Sequence, residues 1–97
     1  MQQNVFPLED IDSLRRYVHE TLCQLNQLEV DYFPFTERVL LRGGRPCGMF
    51  FCLHGPRDVK FTAIWETDRN TVLFYTSTGE RQVKTQLTTH RALAPAA

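Results

Sequence analysis

FTERVLLRGGRPCGMFFCLHGPRDVKFTAIWETDRNTVLFYTSTGERQVKTQL, residues 35–87, is the stretch whose reading decides the fold. It breaks into apolar or alternating segments separated by turn chemistry. Thr36 to Arg42 runs into Gly43-Gly44-Arg45-Pro46, and Cys47 to His54 runs into Gly55-Pro56-Arg57-Asp58. Val59 to Glu66 ends at Thr67-Asp68-Arg69-Asn70, and Thr71 to Thr76 ends at Ser77-Thr78-Gly79-Glu80. A weaker segment, Arg81 to Leu87, follows. Gly and Asn reach positive φ at low steric cost and Pro presets a turn φ, so each joint has a physical cause. Short joints between strands make hairpins, and successive hairpins make an antiparallel meander of four or five strands.

Alternation then assigns faces. Val59, Phe61, Ala63 and Trp65 share one face of their strand, with Lys60, Thr62 and Glu66 opposite and Ile64 as the exception. Met49, Phe51 and Leu53 share a face, but Phe50 and Cys52 make the other face of that strand apolar too. A strand apolar on both sides belongs to a central position, to a sheet curled towards a small barrel, or to a face that meets another subunit. Gln82, Lys84 and Gln86 alternate with Val83, Thr85 and Leu87 and suit a solvated edge.

Upstream, Ile11, Leu14, Val18, Leu22, Leu25 and Leu28 recur at spacings of three and four, a stripe for docking on one sheet face. The spacing predicts a helix over about residues 8–28, with Glu9, Asp10 and Asp12 near the positive end of its dipole. Arg15, Arg16, His19, Glu20 and Gln27 fall mainly outside the stripe and suit solvent. Residues 1–7 read as a loose lead-in, with Val5 and Phe6 available to tuck against the core. Pro34 ends any helical continuation, and Tyr32, Phe33 and Phe35 read as a seal on one end of the core. Residues 88–97 carry no pattern and read as a flexible tail. The expected fold is a single α+β domain over residues 1–97: an amphipathic helix on an antiparallel meander sheet.

The 97 residues suffice for one modest core, and 42% hydrophobic with 23% charged residues is ordinary for a globular chain. No apolar run approaches a bilayer span, and the first residues lack the basic and apolar regions of a signal peptide. Three cysteines without a C-x-x-C fit reduced thiols. A soluble, cytoplasmic protein with no membrane association is therefore expected. The net charge of zero is unevenly placed: residues 1–31 carry two Arg and six acids, and residues 32–97 carry nine Lys or Arg and five acids. Either an acidic helix lies near a basic sheet, or the basic part faces an anionic partner.

Four constellations bear on chemistry. His19 and Cys23 are one helical turn apart, and Cys52 and His54 share a strand face, so the four together have the ligand types of a tetrahedral zinc site. The alternative is that Cys23 and Cys52 are small buried hydrophobes. A cysteine nucleophile, Cys47 or Cys52 with His54 or His19, lacks a supporting signature, and side chains two apart on a strand sit roughly 7 Å apart. No catalytic or cofactor fingerprint is complete. Arg42, Gly43, Gly44, Arg45 and Arg69 form a third set: a meander brings their turns to one end, where bare glycine backbone and guanidiniums suit phosphate or nucleic acid. The pI of about 6.8 is far from the basic footprint usual for such domains. The fourth set is Phe50, Ile64, Leu73 and Tyr75, opposite the main core set, where one helix cannot cover them. The favoured expectation is a non-enzymatic binding module that self-associates as a homodimer, or meets another protein, through that face.

Overall fold

The computed structural model describes residues 2–7 and 10–88, the first segment by its backbone alone. The order is β1 (Gln2–Pro7), α1 (Ile11–Leu25), β2 (Phe35–Arg42), β3 (Arg45–His54), β4 (Lys60–Glu66), β5 (Thr71–Tyr75) and β6 (Arg81–Thr88). β2 to β6 form the antiparallel meander, each strand paired with the next. The helix packs on one face of this sheet, which does not close into a barrel: its edges are β1 and β2.

Three local expectations change. First, residues 2–7 form a strand paired in parallel with β6, from Gln2 opposite Val83 to Pro7 opposite Thr88. The side chains of Val5 and Phe6, and the tail over residues 89–97, lie outside the described residues. Second, β6 is therefore an interior strand rather than a solvated edge. Gln82, Lys84 and Gln86 are half-buried, and Gln86 Nε2 donates to the carbonyls of Arg69 and Asn70 at 3.0 and 3.2 Å. Third, the helix ends three residues before Leu28. Gln27 takes φ 57°, and the N–H groups of Gln27 and Leu28 turn back to the carbonyls of Gln24 and Cys23. Those paired bonds close the helix end and swing Leu28 onto the core, so the apolar period continues after the helix has stopped. At the other end Asp10 caps the helix, accepting from the Ser13 N–H at 2.8 Å.

The core is the stripe against the sheet. Leu14, Val18 and Leu22 are fully buried against Met49, Phe51, Leu53, Ala63, Trp65, Val72 and Phe74. Two polar pairs are built into it. Tyr17 Oη and Thr85 Oγ1 lie 2.7 Å apart, and Trp65 Nε1–H donates to Asn70 Oδ1 at 3.1 Å. Burying Thr85 and the indole is tolerable only because each has a partner. Gly48 answers a different demand: a Cβ there would collide with the Trp65 carbonyl oxygen, so β3 approaches β4 through a residue without a side chain. Phe33 and Phe35 do pack on the core, whereas Tyr32 is 70% exposed.

Candidate functional site

The register turns the fourth constellation into a surface. Arg38, Phe50, Ile64, Leu73 and Lys84 are successive cross-strand partners over β2 to β6, so their side chains form one row across the sheet. Thr36, Cys52, Thr62 and Tyr75 form the next row. Their alternation partners, Phe51, Ala63, Val72 and Phe74, are the core beneath the helix, so both rows face away from α1. The rows are not equally accessible. Leu73 and Cys52 are each only 7% exposed, closed over by their neighbours, so the surface is offered by the half-buried Phe50, Ile64, Thr62 and Tyr75. The Arg38 guanidinium lies over the Phe50 ring at 5.0 Å, which fixes both side chains to this face.

Charged residues of this face include Arg38, Lys60, Glu66 and Lys84, and the row that holds Tyr75 ends on its cross-strand partner Arg81. Lys60 and Glu66 stand at the two ends of β4, the middle strand of the meander. Arg38 and Lys84 stand at the two flanks of the Ile64 row. Alternation alone places Lys60, Glu66 and Lys84 on this side. What it does not supply is the row they share, because that needs the register between strands.

The zinc constellation is divided by the sheet. His19 and Cys23 lie on the helix side, and Cys52 and His54 lie on the opposite face because Phe51 and Leu53 take the core side. Among the described residues no group of three or more His, Cys, Asp or Glu side chains is arranged to hold a metal ion. His19 is not a solvent residue either. Its side chain is 16% exposed and stacks flat on Phe35, with ring centroids 4.5 Å apart, and Asp31 Oδ1 lies 3.9 Å from its Nδ1. His54 Nε2 and Thr36 Oγ1 are 3.0 Å apart. Burial pushes the Cys23 thiol up, with Asp31 and Glu20 adding to the effect, and burial likewise pushes up Cys52 against a smaller opposing pull from Lys60. A raised thiol is a poor nucleophile and a poor ligand.

In the expected basic rim two of the turns lie side by side, and one of the arginines is paired with an acid. Gly43 and Gly44 take φ 58° and 79°, the left-handed pair of a two-residue hairpin that a side chain would strain. Their turn lies beside the β4–β5 turn, where Asp68 meets Arg42 at 3.4 Å and Arg69 follows in sequence. Both partners of that ion pair are well exposed, so it contributes little to stability. Arg57 lies at the far end of the sheet, in the β3–β4 turn.

Among the described residues no helix is long and apolar enough to cross a membrane. Compared with known proteins, the chain matches no family model, no curated protein and no solved structure.

Proposed function

We propose that this chain is a non-enzymatic interaction module that associates with a second copy of itself through the sheet face opposite α1. The observation that carries this reading is the half-buried Phe50, Ile64 and Tyr75, packed around the closed-over Leu73, on a face that no described helix covers. The side opposite the helix keeps part of Phe50, Ile64 and Tyr75 in water, and a self-complementary contact removes that area. Ile64 lies at the centre of the patch, between Phe50 and Leu73. The wild type is expected to sediment as a dimer at roughly 100 µM, and Ile64→Asp as a monomer with an unchanged circular dichroism spectrum. A wild type that stays monomeric across that range sinks the reading.

A second reading is favoured by the convergence of the Gly43-Gly44 turn and the Arg69 turn at one end of the sheet. There Arg42, Arg45 and Arg69 with bare glycine N–H groups suit an anionic, nucleic-acid-like ligand. Its signature is binding of a single-stranded oligonucleotide that weakens steeply with salt, and salt-independent binding counts against it.

A further inference from the structure

We infer that self-association of this chain is anion-dependent: the associating face is cationic, and a multivalent anion of the phosphate class is taken up when two such faces meet. This rests on the self-association proposed above and goes further by assigning a ligand class and the sign of its effect.

Among the described residues, the open side of the strands carries Arg38, Lys60, Arg81 and Lys84 against one acid, Glu66. No described acid pairs with any of the four. The ion pairs present join Arg15 to Asp12 and Glu37, His19 to Asp31, and Arg42 to Asp68. The Arg38 guanidinium lies over the Phe50 ring instead. The hairpin ends add Arg42, Arg45, Arg57 and Arg69 against Asp58, Asp68 and Glu80, which leaves the sign unchanged. The balancing acids stand on α1 and the loop after it, where Asp10, Asp12, Glu20, Glu29 and Asp31 are all exposed. A net charge of zero therefore conceals an acidic helix side and a basic sheet side.

Two sheets packed face to face lie on the order of 10 Å apart. A two-fold axis can be set so that no basic side chain lies directly on its own kind, but no axis changes the sign of either face. Two net-positive faces repel across that gap, which is close to the Debye length of about 8 Å at physiological ionic strength. The apolar centre of Phe50, Ile64 and Tyr75 supplies the attraction, and the charges oppose it. An anion between the faces removes the opposition, and both guanidinium and ammonium groups bind phosphate oxygens. By linkage, an anion taken up on pairing binds the dimer more tightly than the monomer, so it tightens the dimer. That sign is the reverse of the one given by complementary charges, which salt weakens.

Sedimentation of the full chain tests this. Raising sodium chloride from about 50 to 300 mM is expected to tighten the wild-type dimer about threefold. Pyrophosphate at about 1 mM, with ionic strength held fixed, is expected to tighten it by at least as much again. Lys60→Gln/Lys84→Gln lowers the positive excess. It is expected to dimerise more tightly at low salt and to lose most of the pyrophosphate response, with an unchanged circular dichroism spectrum. Glu66→Gln raises the excess and is expected to give a weaker dimer at low salt with a steeper salt response. A wild-type dimer that loosens as salt rises, or that ignores pyrophosphate, overturns the inference. So do assemblies that grow beyond a dimer at low salt and disperse at high salt, since those place the acidic α1 side of one copy on the basic face of the next. A wild type with no dimer at any concentration or anion level overturns the self-association itself, a different result from a dimer whose anion dependence is absent or reversed.

Discussion

Asn70 joins three strands, and removing its side chain has a cost that can be worked out. It stands in the β4–β5 turn at φ 50°, where asparagine is tolerated better than alanine. Its Oδ1 accepts from the indole N–H of Trp65, a residue only 1% exposed, and its Nδ2 donates to the Leu87 carbonyl at 3.4 Å. Its backbone carbonyl accepts from Leu87 N–H at 2.9 Å, which ties the turn to β6. Asn70→Ala strands a buried indole N–H, which costs about 1–3 kcal/mol. Holding alanine in the left-handed region adds about 1 kcal/mol. The expected loss is about 2–4 kcal/mol, a large share of the roughly 5–15 kcal/mol that holds a domain of this kind folded. Asn70→Gly separates the two parts, since glycine removes the backbone cost and still leaves Trp65 without an acceptor. It is expected to fall about 1 kcal/mol short of the alanine loss. Asn70→Asp keeps an acceptor and is expected to lose least. The assay is urea unfolding followed by fluorescence of Trp65, the sole tryptophan, which reports on the bond being removed. An Asn70→Ala midpoint that corresponds to less than about 0.5 kcal/mol of lost stability would refute the reasoning, because the indole would then have found another partner or water.

Two further predictions follow from the backbone and the thiols. Gln27, Arg57 and Asp58 hold φ of 57°, 60° and 62°, so Gln27→Gly and the pair Arg57→Asn/Asp58→Gly are each expected to add about 1 kcal/mol. That gain raises the melting temperature by about 4–8 °C in a domain this size, and an unchanged melting curve removes the strain argument. Cys47, half-buried, is expected to react with a maleimide at pH 8 about tenfold faster than Cys23 or Cys52, whose thiols burial holds above their ordinary range. The protonated thiol is the form these sites favour. Their contribution to stability is therefore present below the unfolded thiol pKa and is lost as pH rises through the raised folded values. Labelling in which Cys52 leads at pH 8 contradicts this.

Much of the fold was legible in residues 35–87 because the signals are local. Alternation separates Phe51 and Leu53 from Phe50 and Cys52, and Gly43-Gly44 marks a turn that only left-handed backbone closes. The same alternation already divides the zinc candidates. Once Met49, Phe51 and Leu53 face the helix, Cys52 and His54 must face away from His19 and Cys23.

The tertiary structure decided whatever depends on a distant partner. β1 is a strand because β6 presents an unpaired edge to it, and nothing within residues 1–7 alternates strongly enough to announce this. His19 left solvent because Phe35, sixteen positions later, returned beneath its ring. The helix stopped at Leu25 although Leu28 kept the apolar period, since a closing turn and one more helical turn both carry Leu28 to the core. The alignment of Arg38, Phe50, Ile64, Leu73 and Lys84 belongs to this second class as well. Each residue's face follows from a period of two within its own strand, but which residues stand side by side is set by register, a property of pairs of strands.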